Sequence, residues 1–166
     1  MKRLAIVFAI GSLMACGGGS SPTAPTPPAN IAGPYGATIT ASTTCSANLP
    51  FPMLAFSATI SQTGAAVEVQ LQAHAPGVPS GTVSGTVSGQ TVTFPSFSFS
   101  ETMGRGAALV GSGNASVGAN GSITGTLGGT FQTASGSSCT SANHQLEMVK
   151  LCLQPTATGT ALLPCP

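Results

Sequence analysis

Two histidines, three glutamates and five cysteines are the side chains of this 166-residue chain best suited to chemistry. His74 closes a stretch whose polar positions include Glu68, and His144 opens one that reaches Glu147. A Ser/His/acid triad needs an imidazole oriented by a carboxylate, so either His with its Glu is the pair a hydrolase would use. No serine sits in the G-x-S-x-G elbow that exposes a nucleophile at a strand–helix turn, and Gly111-Ser112-Gly113 falls within a predicted strand. Zinc takes three or four converging ligands, which two His and one Glu on separate strands do not supply. The Gly125 to Gly129 stretch lacks the Lys and the following helix of a phosphate loop. No catalytic residue, metal site or cofactor is therefore assigned. Both histidines are read as structural, and a hydrolase using His74 or His144 with a Glu stays as the alternative.

The N-terminus carries a different kind of chemistry. Lys2-Arg3 precede an apolar run from Leu4 to Ile10, and Leu13-Met14-Ala15 lead to Cys16. This is the order of a signal peptide: basic, apolar, then a small residue at the cleavage point. The run is too short to span a bilayer core, which takes about 20 apolar residues, and no later stretch is long enough either. Leu13-Met14-Ala15-Cys16 resembles the lipobox of bacterial lipoproteins. The resemblance implies cleavage after Ala15, diacylglycerol on the Cys16 thiol and a further acyl chain, commonly palmitate, on its amino group. Residues 1–15 would then be a lipoprotein signal peptide, and membrane lipid the partner of Cys16. Gly17, in place of the Asp that retains lipoproteins at the inner membrane, implies the outer membrane of the bacterial cell envelope. Two or three acyl chains, at about 0.8 kcal/mol per buried methylene, hold where one does not.

Beyond Cys16, residues 17–30 read GGGSSPTAPTPPAN. Gly/Ser followed by Pro-rich sequence is expected to act as a tether that lifts a folded part off the membrane. Residues 31–166 have room for one domain. That domain holds Arg105 and Lys150 against Glu68, Glu101 and Glu147, with no Asp and no Trp. Two cations cannot neutralise a run of phosphates, so nucleic acid is excluded as a partner. Three scattered Glu are a poor basis for calcium.

Apolar and polar residues alternate with a period of two along most of the domain. Tyr35, Ala37 and Ile39 form one such face, Leu54, Phe56, Ala58 and Ile60 a second, and Val67, Val69 and Leu71 a third. Val83, Gly85 and Val87 continue the pattern. Val92 and Phe94 follow, and after Pro95 the parity shifts to Phe97 and Phe99, as a bulge or break would require. Runs from about Gly106 to Ala119, from Ser122 to Phe131 and from His144 to Leu151 complete eight predicted strands. Gln62-Thr63-Gly64, Gly89-Gln90 and Asn120-Gly121 are turn signals between neighbours. Short turns favour antiparallel pairing, and closing eight strands removes exposed edges. The expected fold is all-β, an eight-stranded antiparallel up-and-down barrel, with a two-sheet sandwich as the alternative.

An even set of four cysteines remains beside Cys16: Cys45, Cys139, Cys152 and Cys165. No two form the C-x₂-C pair of a metal site, so two disulfides are expected outside the cytoplasm. Closure selects among the pairings. The end of strand one should lie beside the start of strand eight, which joins Cys45 to Cys139 and leaves Cys152 for Cys165. The second bond would pin the Pro-rich tail from Gln154 to Pro164 as a local loop.

Taken together, Gly36-Ala37-Thr38-Ile39-Thr40-Ala41-Ser42 with Cys45 and Leu49-Pro50, Ala58-Thr59-Ile60-Ser61-Gln62-Thr63-Gly64 and Cys139-Thr140-Ser141-Ala142-Asn143-His144 resemble small β-barrel lipoproteins of environmental bacteria. The resemblance implies a lipocalin-like or avidin-like barrel and carries no activity. A membrane-anchored, non-enzymatic binding or structural module is the function expected, with a small apolar ligand in the barrel as a partner. Without Trp, biotin-type binding is not expected.

Overall fold

Alternation gives each strand one apolar and one polar face, and the apolar faces can leave water only by turning toward one another. The computed structural model describes residues 26–47, 49, 52–73, 79–100, 108–132, 137–157 and 159–166. The strands are β1 (Gly33–Thr40), β2 (Met53–Thr63), β3 (Ala66–Ala73), β4 (Pro79–Ser88), β5 (Thr91–Ser100), β6 (Ala108–Val117), β7 (Ile123–Gln132), β8 (Ser138–Thr156) and β9 (Gly159–Pro164). One helical turn, α1 (Thr43–Ser46), follows β1. Strands β1 to β8 pair antiparallel in chain order, and β1 pairs with β8 from Tyr35↔Lys150 to Thr40↔Gln145. The result is a closed eight-stranded antiparallel up-and-down barrel.

The inner wall is apolar. Tyr35, Leu54, Phe56, Leu109, Leu127 and Phe131 are among its fully buried side chains. The outer wall carries Thr59, Ser61, Glu68, Gln70, Ser84 and Thr86, all exposed. A barrel that spans a bilayer shows the reverse, apolar outside and polar inside. No helix among the described residues is long and apolar enough to cross a membrane.

Local chemistry explains the irregularities. Gly64 and Gly89 turn their hairpins with φ of 59° and 56°, a conformation that side-chain-bearing residues resist. The β6–β7 connection is longer than a two-residue hairpin: Gly118 donates its N–H to the Ser122 carbonyl, and Gly121 takes a φ of 76°. In β5 the register slips between Phe94 and Phe97, so both rings stay inside despite the odd spacing. A Cβ on Gly85 of β4 would sit 2.9 Å from the Phe94 ring, so this ring occupies space that the neighbouring strand's glycine leaves open.

Two features differ from the sequence reading. The last barrel strand is longer than His144 to Leu151, because β8 runs from Ser138 to Thr156. The tail from Gln154 to Pro164 is not a loop: Leu151 to Thr156 pair with β9 as a ribbon outside the barrel. Thr/Gly at its turn and apolar residues on both arms supply a hairpin pattern that Pro155 and Pro164 obscure.

Candidate functional site

The barrel has two ends. The upper end holds the finish of β1, α1 and the start of β8, and a disulfide joins Cys45 to Cys139 there, with Cα atoms 5.6 Å apart. His144 is fully buried beside it, on the inner face of β8. Its Nδ1 accepts the Ser42 backbone N–H at 3.1 Å, which places the ring proton on Nε2, 3.0 Å from the Gly129 carbonyl oxygen that accepts it. The Phe131 ring packs edge-on against the imidazole, centroids 4.8 Å apart. Both nitrogens are thus committed to backbone groups. Glu147 lies an odd number of residues along the same strand and is exposed on the outer wall, so the wall separates it from His144. Glu68 is likewise exposed on the outer wall. His74 and Glu101 lie outside the described residues, as do Cys16 and Arg105. The structure therefore brings neither described Glu to His144.

Between the ends, the interior is filled. A cavity among Ala37, Val69, Phe94, Phe97, Leu146 and Met148 offers about 20 Å³ to the centre of a water molecule, room for about one water. That is smaller than the ~300 Å³ or more of typical ligand pockets. Among the described residues no group of three or more His, Cys, Asp or Glu is placed to hold a metal ion.

No family model, curated protein or solved structure matches the chain. Its site must be read from its own geometry.

The lower end, where β1 begins, is closed by the chain that leads into it. Gln62 on β2 clamps this segment: its Oε1 accepts the Ile31 N–H at 2.8 Å, and its Nε2 donates to the carbonyls of Ala29 and Gly64, each at 2.9 Å. Ala29 donates its N–H to the Gly89 carbonyl at 2.7 Å. The Tyr35 hydroxyl shares its proton between the carbonyls of Ile31 at 3.0 Å and Gly121 at 3.2 Å. Ile31 is fully buried and caps the core. The incoming strap thus bonds to Gln62 beside the β2–β3 turn and to Gly89 in the β4–β5 turn, and Tyr35 links it to the β6–β7 connection. Burial pushes the Tyr35 phenol up to about 12, because the phenolate would lose its hydration. Lys150 stands at the same end, its Nζ 6.0 Å from the Tyr35 ring centre.

Below Lys150 the β8–β9 ribbon leaves the barrel, with Cys152 bonded to Cys165 and Cα atoms 5.1 Å apart. Leu153 and Leu162 face each other across the ribbon and are 75% and 50% exposed; Leu163, on the other face, is 40% exposed. Sequence reasoning missed Gln62, Tyr35 and these leucines as a group. The available signals were the lone Tyr on an inward position and the apolar residues on both sides of the Thr156–Gly159 turn.

Proposed function

We propose that the chain is a lipid-anchored protein of the bacterial outer membrane, held by acyl chains on Cys16, whose barrel is a non-enzymatic structural module of the envelope. One observation carries this reading. The strap at Ala29 and Ile31 binds the N-terminal approach to one end of the barrel, so a pull from the anchor is borne by Gln62, Gly89 and Tyr35. A tether that only trailed from the domain would need no such seat. The polar outer wall supports a barrel that stands in water beside the membrane. The filled interior and the committed His144 favour a role for the surface over one for an internal ligand or a reaction.

Replacing Cys16→Ser, fractionating cells and weighing the protein tests the anchor. The expected result is loss of the acyl mass and failure to process the signal peptide. A variant of unchanged lipid content overturns the reading.

A further inference from the structure

We propose that the β8–β9 ribbon is a second membrane contact, its leucines seated in the interface of the same bilayer that holds Cys16; this rests on the anchored reading above.

The topology places the two at one end. Strand β8 leaves the barrel at Lys150, opposite Tyr35 near the start of β1, and continues outward as the ribbon. The strap approaches that same end, and its first described residue, Thr26, lies against Gly89 in the β4–β5 turn. In an eight-stranded ring, β4–β5 is across from β8–β1, so strap and ribbon emerge at opposite rims of one end. Cys16 and Thr26 are ten positions apart, a reach of at most about 35 Å. The six residues of β9 extend about 20 Å. A tether of that reach is long enough to let the ribbon meet the surface to which the tether is fastened.

The ribbon's chemistry suits that surface. Residues 151–166 include no charged side chain. The Leu153–Leu162 pair shares a face with Leu151 and Pro164, an apolar surface with no core behind it. A lone two-stranded hairpin is marginal in water, and here the Cys152–Cys165 bond holds it ready. Its open edges keep it at the headgroup level, where water still satisfies the backbone, and out of the hydrocarbon core. Lys150 at its root is a cation positioned for lipid phosphates, with an aliphatic stem that can lie along apolar surface. Two contacts at opposite rims would hold the barrel axis in a set orientation, which a single tether does not.

The chain lacks Trp, so one introduced Trp reports alone. Leu162→Trp on the ribbon and Val110→Trp, a 55% exposed position on the outer wall near the other end, are made in the acylated full-length protein. Each is reconstituted into vesicles of phosphatidylethanolamine and phosphatidylglycerol. The expected result is a blue-shifted Leu162→Trp emission that lipids brominated on their acyl chains quench, with Val110→Trp still quenched by acrylamide. Equal acrylamide quenching of both, in protein whose mass shows the acyl chains, overturns the ribbon contact and leaves the anchor standing. Protein without acyl mass overturns the anchor alone, and the same blue shift on added vesicles then decides the ribbon. A shift that arises without vesicles and grows with protein concentration means pairing between copies, and also overturns it.

Discussion

Ser42 donates its backbone N–H to Nδ1 of His144 at 3.1 Å, across 102 residues of sequence. The bond crosses the seam where β1 meets β8, close to the Cys45–Cys139 disulfide. A buried imidazole is here a backbone connector: one nitrogen terminates β1, the other reaches Gly129 on β7.

Replacing His144→Leu should fill the space while leaving the Ser42 N–H and the Gly129 carbonyl without partners. Each buried orphan costs ~1–3 kcal/mol, so a loss of about 2–4 kcal/mol is expected. Urea unfolding should show a lower midpoint with an unchanged slope. An unaltered midpoint would show that the two bonds contribute nothing to closure.

The two disulfides should behave differently. Cys45 and Cys139 are 94 residues apart, and the chain-entropy model assigns such a bond about 4–5 kcal/mol. Cys152 and Cys165 are 13 residues apart, which corresponds to about 3 kcal/mol, and they join only the ribbon. Replacing Cys45 and Cys139 with Ala should lower the melting temperature of the barrel sharply. Replacing Cys152 and Cys165 should leave the barrel transition in place and speed amide exchange in residues 151–164 alone. Equal effects of both pairs on the barrel melt would contradict the separate ribbon.

Tyr35 should make the protein alkali-sensitive in a defined window. Its phenol is pushed up to about 12 in the fold, against about 10 in the unfolded chain. Below pH 10 both states hold the proton and the full stability is present. From pH 10 to 12 the unfolded chain releases it while the folded chain keeps it, so stability falls by ~1.4 kcal/mol per pH unit, or about 3 kcal/mol in all. As the one Tyr in a chain without Trp, it can be followed by absorbance at the phenolate band. Tyr35→Phe should remove this alkaline loss and cost about 1 kcal/mol at neutral pH through the Ile31 and Gly121 carbonyls. A titration with the midpoint of a free phenol would refute the burial argument.

Two glycines should respond oppositely to Ala. A Cβ on Gly111 would run into the Gly128 carbonyl oxygen and sit 2.7 Å from Gly129 Cα, both backbone atoms that cannot swing aside. Gly111→Ala should destabilise by about 3 kcal/mol, as overpacking does. Gly36 has nothing within 4 Å of such a Cβ, and Gly36→Ala should gain about 0.5 kcal/mol from a less free unfolded chain. Chemical unfolding of both variants, read side by side, checks the pair; similar gains would show that the contact at Gly111 is relieved at no cost and that only backbone entropy matters.

Period-two alternation over Tyr35–Ile39, Leu54–Ile60 and Val67–Leu71 determined that this chain makes strands with one buried face, and the glycine turns between them determined antiparallel neighbours. The eight barrel strands and the expectation of closure then followed, because eight short strands must either join ends or expose edges, and the pairing of Cys45 with Cys139 was legible from that closure; the ninth strand was not. Alternation is local, so it survives in the sequence as a pattern. Tertiary structure alone decided the rest. Whether Phe56, Phe94 and Phe97 leave room for a ligand depends on how rings from different strands meet glycines on others, a sum over neighbours that no single stretch encodes. His144 became a connector only when β1 and β7 came within reach of its two nitrogens. Gln62, a polar residue in an ordinary alternating strand, became a clamp because the incoming chain folds back across the barrel's end. The ribbon's leucines became a surface because β8 runs on past the end of the barrel, where no facing wall remains to cover them.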